Sequence, residues 1–469
     1  MALQGAAGLA RALRAGELSP REAVQSYLDR IDRLDGAVRA YVHVRGEEAL
    51  AEADALAGQA PQGPLWGVPV AIKDVIDVAG TVTTCSSRVL VDAGPATRDA
   101  GAVEGLRRAG AIVLGKLNTH EFAYGAMTTS PRFGPSHNPW SLDRIVGGSS
   151  GGSGACAGAD LAAGTLGTDT AGSIRIPACF NGVTGIRPTT GRVSNRGVFP
   201  VSFAFDVVGP IARSAEDCAV LLQACAGHDP EDASTADVPV PDYAALLPQG
   251  IAGLRVGVVR SLVDNDLIDE RIRATVLGAI EALRGLGAEV RDVEIPLLQH
   301  FGAIQQAMQF ADATNVHLPW LRERLAAYGD DVRARLLTGL YLPGHVYALG
   351  QRGRRVAYEA LRGTFRDVDL LVAPTLPILP PRIGETEVDV NGRRLAYRLP
   401  IIPYNSPWSL VGVPTMSVPV GLVDGMPVGM AMVGWRFRED VVLRAGHAYQ
   451  QATDWHERRP DLAAAAKEV

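Results

Sequence analysis

Residues 147–154 read Gly147-Gly148-Ser149-Ser150-Gly151-Gly152-Ser153-Gly154. Glycine at this density makes sense only where the backbone must turn tightly or approach another group closely. Three uses compete for such a run. A flexible linker would lead to a domain boundary, whereas an apolar, alanine-rich segment follows here. A phosphate cradle would end in GK[ST] or keep GxGxxG spacing, and neither is present. A rigid catalytic loop is the third use. Gly147 to Gly151 also fits GxSxG, which on an α/β-hydrolase frame makes Ser149 a nucleophile with a downstream acid and histidine. The histidines on offer, His345, His447 and His456, stand in helical, charged contexts that suit ordinary surface or core residues.

A second small-residue segment runs Gly167-Thr168-Asp169-Thr170-Ala171-Gly172-Ser173-Ile174-Arg175-Ile176-Pro177. Around Ser173 it lets consecutive N–H groups converge on one point, which an oxyanion site requires. Ser173 is thus a candidate nucleophile, and a turn serine ahead of a proline is the plain alternative. The third segment is Gly67-Val68-Pro69-Val70-Ala71-Ile72-Lys73-Asp74, where Lys73 ends a strand after five apolar residues. Lysine in that place is either solvated at the strand end or buried for a purpose. Burial would lower its pKa from about 10.4 and leave a neutral amine able to act as a general base near pH 7.

The rest of the chain reads as one α/β unit. Ser19, Pro20 and Glu22 form an N-cap, a first-turn proline and a capping-box acid ahead of helical spacing that Gly36 stops. A helical pattern follows over 47–57, then strand-like runs at 68–72 and 111–114. Residues 254–295 give a strand, a helix from Asp269 to Leu286 and another strand, a βαβ rhythm that predicts a largely parallel or mixed sheet. Residues 301–366 are mainly helical, 368–375 a strand and 439–452 a final helix. The expected division is N-terminal helices over 1–60, a motif-bearing core over 61–215, a helical and βαβ insertion over 250–366, and the C-terminal part of the core over 367–469.

With 47% hydrophobic residues, 20% charged residues and a net charge of −6, the chain is not built to neutralise phosphates. A nucleic-acid partner is not expected. Five sparse cysteines give neither zinc-ligand spacing nor a disulfide framework, which fits a reducing cytoplasm. The first twenty residues carry arginines at 11 and 14 in place of the unbroken apolar run of an export signal. The uncharged stretch 399–423 holds too many prolines for a membrane span and reads as loops and short strands.

Together, GVPVAIKD, then GGSSGGSGA 76 residues after the lysine (149 − 73), then GTDTAGSIRIPA 24 residues further on (173 − 149), resemble the amidase signature family. EFAYG at 121–125, FGPSHNPW at 133–140, GIRPTTGRVS at 185–194 and ATDWHERRP at 452–460 extend the resemblance over nearly the whole chain. It implies a central mixed, largely parallel twisted sheet covered by helices on both faces. It also implies that Ser173 attacks the carbonyl and that Ser149, preceded by a cis peptide, relays the proton to Lys73. The N–H groups of Thr170, Ala171, Gly172 and Ser173 would hold the oxyanion, and Asp169 and Arg175 would brace the loop. Tyr124, Gly125, Ala126, Met127, Phe199 and residues 404–409 are expected around the acyl side. No metal or cofactor is implied.

The resemblance leaves two functions. One is a stand-alone hydrolase of amides, aryl amides or carbamates, with esters as a side reaction, whose partner is a small-molecule substrate and whose assembly is at most a homodimer. The other is the glutamine-hydrolysing subunit of a tRNA-dependent amidotransferase. Ile176 stands where that subfamily usually has glutamine, and EFAYGAM replaces its EFAMGSS, so the stand-alone hydrolase is the expectation.

Overall fold

The computed structural model describes residues 5–462. Eleven strands form one sheet: β1 (Tyr41–Val44), β2 (Pro69–Lys73), β3 (Ile112–Leu117), β4 (Gly164–Asp169), β5 (Thr184–Arg187), β6 (Val207–Ala212), β7 (Arg255–Val259), β8 (Glu289–Val293), β9 (Leu370–Pro374), β10 (Thr415–Val423) and β11 (Met426–Val433). Their spatial order is β1-β3-β2-β4-β6-β5-β10-β11-β9-β7-β8. Pairing is parallel between β2 and each of β3 and β4, and between β7 and each of β8 and β9. The central strands pair antiparallel, as in the β10–β11 hairpin closed at Asp424-Gly425. The sheet is therefore mixed, and β2, β3, β4 and β6 are buried along their whole length, consistent with helices on both faces.

The helices that matter below are α1 (Pro20–Val38), α2 (Gly46–Ala55), α3 (Gly151–Gly158), α4 (Arg175–Phe180), α5 (Glu270–Gly285), α6 (Leu298–Glu323), α7 (Asp330–Leu340), α8 (Gly344–Thr364), α9 (Arg398–Val411) and α10 (Glu439–Gln451). The capping box at Ser19 and Glu22 is present in both directions. Gly36, however, does not stop α1. The helix runs to Val38, and Arg39 takes the left-handed conformation while the Asp35 carboxylate accepts the N–H groups of Ala40 and Tyr41.

The stretch 399–423 also departs from the loops and short strands expected of it, being helix α9 followed by the nine-residue β10. Pro403 and Pro407 remove backbone bonds inside α9. Burial of Tyr404, Trp408, Leu410 and Val411 in one apolar cluster offsets that loss, and Trp408 Nε1 donates back to the Tyr404 carbonyl at 2.8 Å. Among the described residues no helix is long and apolar enough to cross a membrane.

One buried ionic network ties the sheet to α4 and α9. Arg175 donates from Nε and Nη2 to the two Asp169 oxygens, each at 3.0 Å, from Nη1 to the Asn405 carbonyl at 3.0 Å, and from Nη2 to Ser409 Oγ at 2.8 Å. Arg187 adds a second contact to Asp169 at 3.3 Å. Burial alone would raise the Asp169 carboxyl, but the two guanidinium groups hold it well below the usual carboxylate range. Replacing Arg175 with methionine would leave that charge short of a partner in a dry interior. The expected cost is roughly 3–5 kcal/mol, read from the shift in denaturant midpoint; a change under about 1 kcal/mol would show that the network does not hold these elements together.

Candidate active site

Strand β2 delivers Lys73 into the interior, where its side chain is fully buried. Its amine lies 2.7 Å from Ser149 Oγ, 2.9 Å from Ser150 Oγ and 2.7 Å from Thr168 Oγ1. All three neighbours are hydroxyls. Burial pushes the amine down to about 7, with Asp169 and then Asp206 pulling the other way. Ser150 is itself fixed, donating to the Thr168 carbonyl at 3.0 Å and accepting the Thr168 N–H at 3.1 Å. Neither Ser150 nor Thr168 stands out in the sequence motifs. The signal that finds Thr168 is its place beside Lys73 once β2 and β4 are paired, since Ile72 stands opposite Leu166.

The glycine-rich run is the turn that enters α3, with a cis peptide between Gly148 and Ser149. Its glycines answer to close approach: a Cβ on Gly152 would lie 2.4 Å from the Asn118 carbonyl oxygen. The Ser149 carbonyl accepts the N–H of His120 at 3.0 Å and the Thr119 hydroxyl at 2.9 Å, so the backbone beneath Lys73 is anchored. Among the described residues no histidine side chain bonds to the hydroxyl of Ser149 or Ser173. His345 is exposed on α8, and His447 and His456 lie on α10 and in the segment after it.

The second small-residue segment leaves β4 at Asp169 and turns into α4. Asp169 accepts the N–H of Gly172 at 2.8 Å and of Ile174 at 3.1 Å, and Gly172 sits at φ +120°, which only glycine adopts freely. The Gly172 N–H therefore already has an acceptor. Those of Ala171 and Ser173 have none among the described residues. Thr170 is held by its hydroxyl, which donates to Asp206 at 2.6 Å. Ser173 is joined to the glycine-rich turn through its carbonyl, which accepts the Ser150 N–H at 3.2 Å, and its side chain opens into a narrow cleft of about 40 Å³.

Tyr124, Gly125 and Ala126 line this cleft together with Gly148, Ala171 and Ser173. Gly125 packs on His120, whose Nε2 lies 3.0 Å from Asp331 and whose pKa burial lowers. Met127 packs instead with the apolar cluster of Ile145, Ile176 and Phe180. Phe199 lies in an aromatic group with Phe122, His317 and Trp320, at ring distances of 5.0, 5.5 and 5.9 Å. From 404–409 only Ser406 reaches the cleft. Sequence reasoning missed the polar wall opposite, formed by Gln305, Gln309, Arg335 and Arg398 from α6, α7 and α9. No local motif marks it, because its members come from three helices far apart in the chain.

The family model for amidase matches residues 22–443. The chain is 39% identical to a subunit of the Glutamyl-tRNA(Gln) amidotransferase of Methylococcus capsulatus, over 97% of this chain and 98% of that one. It is 38% identical to the same subunit of Azotobacter vinelandii, again over 97% and 98%. Among solved structures, a chain of one described as an unexpected vestigial protein complex that reveals the evolutionary origins of an s-triazine catabolic enzyme superposes with a TM-score of 0.92 at 36% identity, covering 96% of this chain and 98% of that one. A bacterial aryl acylamidase superposes with a TM-score of 0.88 at 28% identity, covering 97% and 98%.

These relatives overturn one expectation, that a small-molecule substrate is the only partner apart from a second copy of the chain. The curated relatives are named as subunits, and a near structural neighbour is described as a protein complex. The catalytic motifs could not reveal this, since they encode the reacting centre and not the outer faces. With the family model spanning most of its length, the mixed sheet in place and relatives that act on carbon–nitrogen bonds, the chain is an enzyme of amide chemistry and belongs to the amidase signature family.

Proposed function

We propose that this chain is the amide-hydrolysing subunit of an amidotransferase assembly, releasing ammonia from glutamine through an acyl-enzyme on Ser173. Its support as a subunit is the 39% identity that runs nearly end to end through both chains. The chemistry is carried by one observation: a buried amine, pushed down to about 7, lies 2.7 Å from Ser149 Oγ.

In this mechanism neutral Lys73 accepts a proton from Ser149 as Ser149 takes one from Ser173. The Ser173 oxygen attacks the amide carbon, and the developing oxyanion meets the N–H groups of Ala171 and Ser173, with Thr170 beside them. Gly172, expected among these donors, instead steadies the loop through Asp169. Lys73 then returns the proton through Ser149 to the leaving nitrogen, and ammonia departs. Water repeats the sequence on the ester and frees the acid. The rate falls as pH drops through about 7, because a protonated amine is no longer a base.

A second reading has a specific observation behind it. The cleft lining contains two arginines and no aspartate or glutamate, whereas glutamine brings an ammonium as well as a carboxylate. This favours an amide other than glutamine, hydrolysed by a chain that still works within a protein assembly.

Two experiments bear on these readings. Ser173→Ala should abolish covalent labelling by a fluorophosphonate, as read by intact-protein mass spectrometry, and labelling retained at Ser149 would make Ser149 the nucleophile. The tagged chain, recovered from its own cells with whatever protein binds it, should hydrolyse glutamine at least about tenfold faster in that assembly than alone. Amide hydrolysis by the assembly without glutamine turnover would displace the first reading in favour of the second.

A further inference from the structure

The cleft beyond Ser173 holds hydrogen-bond donors that the chain does not satisfy. Arg398, half-buried at the start of α9, makes no hydrogen bond or ion pair among the described residues. Arg335 on α7 donates from Nη2 to Asp331 Oδ2 at 2.6 Å and from Nε to the Asp331 carbonyl at 3.1 Å. Its guanidinium lies 4.6 Å from the centre of the Tyr124 ring, yet its Nη1 is buried without a partner. The Tyr124 hydroxyl is buried without a partner too. Unmatched buried donors destabilise a fold, so two of them beside one cleft, with an unpaired half-buried guanidinium next to them, call for an acceptor from outside.

On the same wall the chain leaves an acceptor open. Gln305 is fully buried, and its Nε2 donates to the Thr170 carbonyl at 3.4 Å and to Gln309 Oε1 at 3.0 Å. The Thr170 carbonyl can only accept, which sets the orientation of the Gln305 amide. Gln305 Oε1 is therefore an acceptor without a donor, next to the oxyanion loop.

Charge narrows the class of molecule further. Asp331 offsets Arg335, and His120, on the other side of Asp331, has its pKa lowered by burial. No carboxylate pairs with Arg398 among the described residues, and Asp331 acts on it only weakly and at a distance. Burial and the neighbouring Arg335 push it down to about 10, which leaves it charged at neutral pH.

We propose that this cleft selects a small amide bearing a carboxylate and no ammonium group, with the carboxylate on Arg398, Arg335 Nη1 and the Tyr124 hydroxyl and an amide N–H on Gln305 Oε1. The assignment rests on the amide-hydrolase reading for where the scissile bond lies. It names the substrate class that the second reading leaves open, and where it holds, that reading and not glutamine hydrolysis is the function. One monoanion supplies the missing acceptor atoms and balances the one guanidinium left unpaired. A neutral diamide offers a carbonyl acceptor but no charge, and an amino acid amide brings a further positive charge to a wall that already has an unpaired one.

Binding to the Ser173→Ala protein tests this without turnover. Calorimetry would compare malonamate, succinamate and glutaramate with their neutral isosteres malonamide, succinamide and glutaramide, and with glutamine, which is glutaramate carrying an ammonium. The best half-amide should bind at least about tenfold tighter than its diamide and than glutamine. Adding Arg398→Met should erase the difference by weakening the half-amide far more than the diamide, and Arg398→Lys should keep part of it. Equal affinity for half-amide and diamide, or a preference that survives Arg398→Met in a protein with unchanged melting temperature, would overturn the proposal. Glutamine binding as tightly as glutaramate would overturn its exclusion of ammonium. If the half-amides bind as described but the wild-type chain hydrolyses none of them, alone or in its assembly, it is the amide-hydrolase reading that fails and not the anion subsite.

Discussion

An amine held out of water without a carboxylate in contact is the constraint around which this interior is arranged. A charged ammonium in an apolar interior is costly, so the group either finds a counter-ion or gives up its proton. The chain contains both solutions. Lys116, one strand away on β3, meets Asp74 at 3.2 Å and Thr83 Oγ1 at 2.8 Å. Lys73 meets only hydroxyls, which serve a neutral amine equally well as donors or acceptors. Among its 45 lysines and arginines the chain has just three lysines, Lys73, Lys116 and Lys467. Arginine could not take the place of Lys73, since a guanidinium stays charged at any ordinary pH.

The loop that carries Ser173 sets a conflicting demand. Asp169 must be anionic to hold the N–H groups of Gly172 and Ile174, yet that negative charge acts to raise Lys73. Arg175 and Arg187 resolve the conflict by pairing with the carboxylate on the side of α4 and β5. The loop keeps its brace, and the field reaching Lys73 is reduced enough for burial to prevail. The same pair of arginines thus serves both the shape of the Ser173 loop and the protonation state of Lys73.

The parts of this arrangement that are legible in the sequence are those encoded over a few residues. The Ser19–Glu22 capping box, the buried strand ending at Lys73 and the glycine turns around Ser149 and Ser173 each carry a local physical signature. Gly36 misleads because a glycine near a helix end is a stop only when the following residues lack a better cap, and Asp35 provides one. The prolines of 399–423 mislead because tertiary burial around Trp408 outweighs two missing backbone bonds. Thr168 escapes notice since threonine in a strand is commonplace, and its contact with Lys73 exists only once two strands pair. Arg335, Arg398 and Gln305 are beyond reach: on their own helices they look like solvent-facing polar residues, and only the packing of α6, α7 and α9 turns them toward one cleft. Ile176 and the EFAYGAM segment argue against a subunit role, but they report on the pocket and not on the surfaces by which the whole chain resembles its relatives.

The state of Lys73 can be observed directly. With only three lysines, a protein carrying isotope-labelled lysine side chains gives three resolvable Cε signals, and Lys73→Met identifies one by its loss. That signal should titrate with a midpoint near 7, reporting neutral amine above it and ammonium below. A midpoint at or above about 10, the ordinary lysine value, would mean that Lys73 is charged where the enzyme works and cannot be its base.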